Sequence, residues 1–321
     1  DRFTDVYQAY ETEKTARGEI DFDDILLIAC HVLESYDEAS AAIRSSIGWL
    51  TVDEYQDVSP LQHRLLTRWL SGNRNICVVG DPAQTIYSFA GASSYSLLDF
   101  AGEFGPLSAD ISLNRDYRST PQIVNYANRV LKASPQRDDY LVLQSGREQG
   151  PRVTQTVYAS DTEEAQGVAM RIAKLASQGV SPSDCAILTR INAQQQILCK
   201  ALQEQHLRYR MRRDSGWQNS ALADDAQTRL AMLEALGVGS DMNGVTISTI
   251  HASKGLEFKH VFLIGCSEGL LPYGSPQDGD QLEEERRLLY VGVTRAEDTL
   301  HLSYARSKDG LNDGRDRRGS R

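Results

Sequence analysis

Two adjacent carboxylates, Asp53 and Glu54, directly follow an uncharged, mostly apolar run from Ile47 to Val52. The length and β-branched content of this run predict a buried central strand, with the acids at its carboxyl edge, where open α/β sheets bind ligands. In extended backbone, neighbouring side chains point to opposite sides, so one carboxylate can hold a metal ion while the other reaches a water. The pair suits hydrolysis of a phosphate anhydride, but by itself it also fits acids that only terminate a strand.

A second acid-tipped strand follows. The short apolar run Ile76–Val79 leads into Asp81, and the polar Gln84 comes shortly afterwards. Two aromatic residues, Tyr87 and Phe89, follow with one residue between them. Two such strands in series are harder to explain as simple strand ends, so a shared site becomes the better interpretation.

Another polar loop contains Tyr117 and Arg118, just ahead of a helix that we predict from about Pro121 to Leu131. Ser119 or Thr120 would cap that helix. A planar guanidinium offers two parallel donors and therefore suits phosphate oxygens. A solvated turn is the alternative interpretation of the Tyr-Arg pair.

Two more loops carry candidate residues near the end of the chain. His251 and Lys254 lie after a predicted strand, and Gly255 would allow close approach of the backbone to a ligand. Thr294 and Arg295 follow an acid-rich helix. A structural role for the histidine, and a favourable interaction of the acids with the helix dipole, are the alternatives.

The rest of the pattern alternates helices with strands, which predicts an α/β fold of β-α-β units with parallel strands. The predicted helices are Phe3 to about Gly18, Phe22 to about Tyr36 with Asp21 as its cap, Pro60 to about Leu70 with Ser59 as its cap, Asp161–Ser177, Ala193–Gln205 and Gln281 to about Gly292. The other predicted strands are Ile111–Leu113, Val153–Tyr158, Cys185–Arg190, Leu207–Arg212, Val261–Gly265 and Leu300–Tyr304. Alternation places Arg208, Arg210 and Arg212 on one strand face, either as a nucleic-acid or interdomain surface or as a solvated face.

Composition limits the class of protein. The 321 residues, 40% of them hydrophobic, are enough for two domains. No apolar run approaches a membrane span, so we expect a cytoplasmic protein without membrane contact. The five cysteines lack a C-x-x-C spacing, and we expect buried free thiols. The net charge of -10 is not typical of a protein that binds nucleic acid through one broad basic face, but it is compatible with a track based on base stacking.

Five blocks together resemble motifs II to VI of the UvrD/Rep/PcrA-type superfamily 1A DNA helicases. They are IGWLTVDEYQD from residue 47, ICVVGDPAQTIYSFAGA from residue 76, NRDYRSTP from residue 114, VTISTIHASKGLEF from residue 245 and EEERRLLYVGVTRAEDTLHLSYA from residue 283. The resemblance covers about residues 20–305 in the family's order. It implies a fold of two RecA-like P-loop NTPase-type domains with parallel sheets, the first of them incomplete.

The resemblance also implies roles for individual residues toward ATP, Mg²⁺ and DNA. Asp53 would hold Mg²⁺, and Glu54 would orient and deprotonate the attacking water. Gln84, Arg118 and Arg295 would contact the γ-phosphate, with Arg295 as an arginine finger. Tyr117 would stack on adenine, Glu257 would contact the ribose, and Gly255 would belong to the nucleotide site. Tyr87, Phe89 and His251 would contact DNA.

The same resemblance divides the chain. Residues 1–112 would be the C-terminal part of domain 1A, with the end of 1B at about 1–20, and residues 113–305 would be domain 2A. A residual 2B link at about 214–244 would stand for a larger accessory domain, and 306–321 would be a disordered tail. No G-x-x-x-x-G-K-[ST] motif occurs, so we expect the chain to be part of a longer protein with an upstream phosphate-binding loop.

These observations predict a 3′ to 5′ DNA helicase and single-stranded DNA translocase that couples ATP hydrolysis to unwinding in repair or replication. Single-stranded and duplex DNA would be its partners, together with repair or replication proteins. Phe89 and Ala90 stand where the family more often has tryptophan and arginine, which removes one charged contact. The alternative is a non-catalytic helicase-like remnant that binds DNA or a partner; a metal-dependent nuclease is a weaker third hypothesis.

Overall fold

A computed structural model of the chain describes residues 2–212, 244–274, 276 and 279–307. The chain divides into two compact units, Asp1–Asp110 (unit 1) and Ile111–Arg321 (unit 2). Each unit combines helices with parallel strands, as the predicted α/β class with RecA-like parallel sheets requires. The assignment of the units to domains 1A and 2A stays a prediction.

Unit 1 contains a parallel pair of strands surrounded by helices. Its elements are α1 (Arg2–Arg17), α2 (Phe22–Ser35), α3 (Asp37–Ser46), β1 (Leu50–Val52), α4 (Pro60–Leu70), β2 (Ile76–Val78), α5 (Tyr95–Leu98) and α6 (Phe100–Phe104). Strands β1 and β2 pair in parallel, with Thr51 opposite Cys77. The segment between them contains α4, so the predicted strand-helix-strand order is confirmed.

Local capping signals fix two helix starts in unit 1. The side chain of Asp21 accepts a hydrogen bond from the amide of Asp24, and the carboxylate of Asp24 accepts one from the amide of Asp21. Ser59 and Gln62 form the same reciprocal capping box ahead of Pro60. Each box satisfies amide groups that a helix start would otherwise leave without partners. Both predicted caps are confirmed.

The prediction of a buried central strand over Ile47–Val52 is wrong in its extent and its burial. The strand begins at Leu50, because Ile47 ends α3 and the Asn73 amide binds the Ile47 carbonyl at 2.9 Å. The side chain of Thr51 is exposed. In the described part of unit 1, β1 has β2 as its one strand partner.

Unit 2 is built on one parallel sheet. Its elements are β3 (Arg115–Asp116), α7 (Pro121–Lys132), β4 (Gln144–Ser145), β5 (Thr154–Ser160), α8 (Asp161–Ser177), β6 (Cys185–Thr189), α9 (Gln195–Glu204), β7 (Tyr209–Arg212), β8 (Val245–Thr249), β9 (Phe258–Leu263), α10 (Gly279–Val293) and β10 (Ala296–Ser307). Within the described residues, six strands pair in parallel in the order β5-β10-β9-β6-β8-β7. Strands β3 and β4 form a separate short pair.

Helices cover both faces of this sheet. Ile187 and Phe262, which lie opposite each other on β6 and β9, belong to the buried cluster that also contains apolar residues of α8 and α9. The next pair, Leu188 and Leu263, points to the other face by strand alternation. There Gly292 of α10 lies close enough to Leu263 that an added Cβ would sit 3.4 Å from it. The sheet is therefore buried from both sides, which fits its continuous apolar strands.

At the start of unit 2, one prediction is wrong and another is confirmed only in position. Ile111 and Leu113 are 75% and 74% exposed and form no strand; the pairing strand is β3, a few residues later. Thr120 occupies the N-cap position of α7, but its side chain makes no capping bond, and the Ser119 hydroxyl instead donates to the Ala296 carbonyl at 2.6 Å. The fixed backbone of Pro121 begins the helix without that cap.

The observed bounds of two strands differ from the predicted ones. Strand β10 runs over Ala296–Ser307 rather than Leu300–Tyr304, so Arg306 and Ser307, which we expected in the tail, belong to a strand. Strand β9 begins earlier than predicted, at Phe258. Most of the predicted link and tail lies outside the described residues, as residues 213–243 and 308–321. On β7, Arg210 donates to the Thr246 hydroxyl at 2.9 Å.

The sequence predicts buried free thiols and no membrane span, and the structure bears on both predictions. Cys30, Cys185 and Cys266 are buried free thiols, as expected, but Cys77 is exposed on β2. Burial raises the pKa of the Cys185 thiol to about 12, which keeps it uncharged. Among the described helices, none is long and apolar enough to cross a membrane.

A buried histidine makes the stability of unit 2 depend on pH. The ring of His301 on β10 is 5% exposed; its Nδ1 lies 2.7 Å from Oγ1 of Thr154, and the ring packs edge-on against Phe262. Burial, assisted by the charge of Arg171, lowers the pKa of His301 to about 4. The unfolded chain accepts this proton near its ordinary pKa of about 6.5. The folded state therefore loses stability as pH falls from about 6.5 to about 4.

We expect His301→Asn to remove this loss, because the amide can still bind Thr154 and cannot be protonated. In the unsubstituted chain, His301 should reduce the free energy of unfolding by about 2 to 3 kcal/mol between about pH 7 and about pH 4.5. Urea unfolding at the two pH values measures the difference, with the exposed His206→Asn as the control. An unchanged pH slope in His301→Asn would contradict the assignment.

Candidate functional site

The two acids of unit 1 lie directly beyond β1, and both side chains are exposed. Asp53 accepts a hydrogen bond from the amide of Glu54 at 2.8 Å. The backbone of Glu54 is left-handed, with φ 52° and ψ 40°, and a 3₁₀ turn, Tyr55–Asp57, follows. The predicted extended backbone, with its two side chains on opposite sides, is therefore wrong. A turn that leaves both carboxylates at the sheet edge replaces it, and left-handed backbone at a residue with a side chain is often found at functional sites.

A hydrogen-bonded chain connects Glu54 to the second acid-tipped strand. The Gln56 amide donates to Oε2 of Glu54 at 2.6 Å, and its Oε1 accepts from the Asp81 amide at 3.0 Å. Oδ2 of Asp81 then accepts from Nε2 of Gln84 at 2.8 Å. The structure thus brings the predicted residues Glu54 and Gln84 into one network. The connecting residue, Gln56, was not predicted, because a buried amide has no periodic signal in a sequence.

The two aromatic residues after this network contact each other. Tyr87 and Phe89 have ring centroids 5.9 Å apart at an interplanar angle of 73°. Phe89 is 76% exposed, whereas Tyr87 is half-buried. Phe89 lies in a 3₁₀ turn, Ser88–Ala90, and Ala90 at the end of this turn is exposed. In this edge-to-face pair, the exposed ring of Phe89 is the better platform for a stacked base.

In unit 2, three predicted nucleotide residues line one cavity of about 590 Å³: Tyr117, Arg118 and Glu257. Nε of Arg118 donates to Oε2 of Glu257 at 2.6 Å. The ring of Tyr117 is 72% exposed, and the guanidinium of Arg115 lies 5.3 Å from its centroid. The structure therefore groups these residues as predicted, and it adds an ion pair between two of them.

Arg147 completes this cavity and was missed by the sequence analysis. Its NH1 donates to the carbonyl of Arg118 at 2.7 Å and to that of Glu297 at 3.1 Å, and its NH2 donates to Asp298 at 2.7 Å. Burial and the charge of Glu257 raise the pKa of Glu297, whose carboxyl lines the same cavity. Arg147 thus joins the loop before α7 to the start of β10.

The structure places Arg295 differently from an exposed finger residue. Its side chain is 2% exposed, with Nε donating to the Val291 carbonyl at 3.0 Å and NH1 to the Leu256 carbonyl at 3.1 Å. NH2 donates to the hydroxyl of Thr294 at 3.1 Å. The guanidinium therefore stabilises the turn between α10 and β10 in this conformation. To reach a phosphate, it would have to give up carbonyl partners.

The segment between β8 and β9 connects opposite edges of the sheet. Because the two strands are parallel, His251 follows the carboxyl end of β8 while Glu257 precedes the amino end of β9. His251 is half-buried and begins a 3₁₀ turn. Gly255 has φ +81°, a backbone conformation that favours glycine. The predicted DNA contact, His251, and nucleotide contact, Glu257, thus lie at different edges.

The donor groups fit the predicted ligands. Mg²⁺ is usually held by one or two carboxylates, waters and substrate phosphates, and the exposed Asp53 offers one such carboxylate. Among the described residues, no group of three or more His, Cys, Asp or Glu side chains is arranged to hold a metal by itself. The cavity of unit 2 offers an aromatic face at Tyr117, a guanidinium at Arg118 and a carboxylate at Glu257, which suit a base, a phosphate and a ribose.

Comparison with known proteins gives matches along nearly the whole chain. Residues 1–105 match the UvrD/REP helicase N-terminal domain, and residues 111–216 and 226–307 match the UvrD-like helicase C-terminal domain. The chain is 36% identical to the ATP-dependent DNA helicase UvrD2 of Mycobacterium tuberculosis, over 94% of this chain and 54% of that protein. It is 24% identical to the ATP-dependent DNA helicase PcrA of Staphylococcus aureus, over 94% of this chain and 61% of that protein.

The chain therefore spans little more than half of the length of these relatives. The alignment with the mycobacterial protein extends over 381 residues, which exceeds the 321 residues of this chain. That relative accordingly carries inserted residues, within the aligned region, that this chain lacks.

Replacing Arg147 with alanine should loosen the loop that carries Tyr117 and Arg118. The side chains of Arg147 and Asp298 are both about one-third exposed. We therefore expect the free energy of opening this loop to fall by only about 1 kcal/mol. The amides of Arg118 and Ser119, which bind Asp116, should then exchange hydrogen about 5- to 10-fold faster. Hydrogen-exchange mass spectrometry measures this rate. The exposed Arg152→Ala is the control. Equal exchange in both variants would show that Arg147 does not hold this loop in place.

Proposed function

The chain belongs to the UvrD/Rep family of helicases, and we propose that it works in an ATP-dependent DNA helicase that translocates 3′ to 5′ along single-stranded DNA. The observation that carries the proposal is the grouping of Tyr117, Arg118 and Glu257 around one cavity in unit 2. These side chains suit an adenine ring, a terminal phosphate and a ribose. The relatives that match both units are named as ATP-dependent DNA helicases.

In unit 1, Asp53 would hold Mg²⁺ and Glu54 would take a proton from the attacking water. Bound Mg²⁺ would neutralise charge on the phosphates. Gln84 would contact the γ-phosphate, and its present bond to Asp81 links it to Glu54 through Gln56. Phosphoryl transfer depends mainly on positioning and charge neutralisation, so a fixed network of this kind suits the reaction.

In unit 2, Tyr117 would stack on adenine, Glu257 would contact the ribose, and Gly255 would allow the backbone to approach the nucleotide. Arg118 would exchange its present ion pair with Glu257 for phosphate oxygens. Arg295 would likewise exchange its carbonyl partners for the γ-phosphate as charge develops there. We propose that this exchange makes the arginine finger conditional on nucleotide.

Tyr87, Phe89 and His251 would contact single-stranded DNA, with the exposed ring of Phe89 as the stacking platform. Duplex DNA would be the substrate of unwinding, in repair or replication and with the proteins of those processes, in the cytoplasm. Because the sequence contains no G-x-x-x-x-G-K-[ST] motif, we propose that this chain alone does not turn over ATP.

The second candidate is a non-catalytic helicase-like chain that binds DNA or a partner. The burial of Arg295 favours it. Against it, the chain combines Asp53, Glu54 and Gln84 in one unit with Arg118 in the other, and a protein without an ATPase cycle has no use for all of them.

DNA-stimulated ATP hydrolysis tests the proposal, measured for this chain and for the protein encoded by its full reading frame. We expect turnover only in the longer protein, and Glu54→Gln there should lower kcat about 10²- to 10⁴-fold while ATP binding persists, since a general base is lost. The exposed Glu38→Gln is the matched control. Normal hydrolysis by Glu54→Gln would refute the assignment of the base.

Absence of turnover from the full protein, with intact DNA binding, would favour the non-catalytic candidate. Polarity needs its own measurement, which is unwinding of duplexes with a single-stranded 3′ or 5′ tail. We expect activity on the 3′-tailed substrate, and a preference for the 5′ tail would contradict the proposed direction.

A further inference from the structure

Gln56 is a buried polar side chain close to an exposed carboxylate. Its side chain is 1% exposed, although the carboxylate of Glu54, two residues earlier, is exposed. Both ends of its amide are used: Nε2 donates to Oε2 of Glu54, and Oε1 accepts from the backbone amide of Asp81. A buried polar group with both ends satisfied is held in one orientation.

The surroundings of Gln56 are shaped for this amide. A Cβ on Gly80 would lie 2.7 Å from Oε1 of Gln56, so any larger residue at position 80 would displace the bridge. A glutamate at position 56 could accept from Asp81 but would face Glu54 with a second carboxylate. A methionine there would supply neither bond. Of these three side chains, the amide alone both donates to Glu54 and accepts from Asp81.

The bridge joins the two loops that follow β1 and β2. Asp81 caps the 3₁₀ turn Pro82–Gln84 by accepting from the Ala83 amide at 2.9 Å, and it also binds the Gln84 side chain. A movement of Gln84 that shifts Asp81 must therefore move the acceptor side of Gln56 or break its bond. The carboxylate of Glu54 is held by the other end of the same side chain.

We propose that Gln56 is a positioning residue: it fixes the general-base carboxylate of Glu54 and ties its orientation to the loop that carries Gln84. The inference rests on the proposed function, because it assigns Gln56 a part in ATP hydrolysis. Gln56 itself touches neither nucleotide nor water in this role. Its effect on the reaction acts through Glu54.

The contact itself can be tested without ATP turnover, by NMR of this chain. The side-chain amide protons of Gln56, identified by the loss of their signals in Gln56→Met, should exchange slowly with solvent, because this amide is buried and bonded at both ends. In Glu54→Ala, which removes the acceptor of Nε2, these protons should exchange about tenfold faster. Equal exchange in the unsubstituted chain and in Glu54→Ala would overturn the bridge.

The role can be tested in the protein encoded by the full reading frame. We expect Gln56→Met to lower kcat for ATP about 10- to 100-fold while KM changes less than about threefold, because the base is misplaced and nucleotide contacts remain. In Gln56→Glu, the acidic limb of the pH profile of kcat should lie about one pH unit higher, because two adjacent carboxylates resist ionising together. If Gln56 only stabilised the fold, the pH profile of kcat would not shift in Gln56→Glu. In Gln56→Met, kcat would then not fall selectively while KM stays nearly constant.

Gln195 supplies the matched control, because it is also 1% exposed and its amide lies 3.4 Å from the Thr189 hydroxyl in unit 2. Gln195→Glu and Gln195→Met should lower thermal stability but leave the pH profile of kcat unchanged. Gln56 variants that fold and retain normal kcat and pH profile would overturn the proposal. If the unsubstituted full protein shows no turnover, the proposed function fails, and the NMR result alone then decides whether Gln56 positions Glu54.

Discussion

The parallel pairing of β9 with β10 is the constraint on which the candidate site of unit 2 depends. The amide of Phe258 donates to the carbonyl of Arg295 at 2.9 Å, which places the residue before β9, Glu257, beside the turn before β10. The amide of Thr120 donates to the carbonyl of Glu297 at 3.0 Å and adds the loop before α7. Three segments distant in sequence thereby meet at the amino ends of two neighbouring strands. Our sequence argument placed ligands at carboxyl ends, and in unit 2 the proposed nucleotide residues lie at the other edge.

The carboxylates at this edge explain why Arg147 is needed to hold the three segments together. Carboxylates gather there, and burial with the charge of Glu257 raises the pKa of Glu297. Arg147 offsets this charge by binding Asp298, while its other donors bind the carbonyls of Arg118 and Glu297. The planar guanidinium does in one side chain what a lysine could not, because several donors point in fixed directions.

Sequence signals that are local proved reliable apart from the cap of α7, and those that depend on a distant partner did not. Helix α8 has its predicted bounds, Asp161–Ser177, because Ser160 caps it and an apolar stripe follows. The apolar run Ile111–Leu113 reads like a strand but has no strand beside it in the described residues. Gln56 and Arg147 were missed for the same reason: each acts through partners far along the chain, and a single polar residue has no period. The left-handed backbone of Glu54 likewise follows from its surroundings rather than from its type.

The segment between β8 and β9 is built to keep a fixed shape between the two sheet edges. The hydroxyl of Ser253 donates to the Ile250 carbonyl at 2.7 Å, and the amide of Leu256 donates to the Ser253 carbonyl at 3.0 Å. Ser253 is fully buried, so these bonds are protected from water. The Leu256 carbonyl also binds Arg295. The proposed DNA contact His251 and the proposed nucleotide contact Glu257 thus belong to one short segment, and the buried guanidinium of Arg295 is bonded to it.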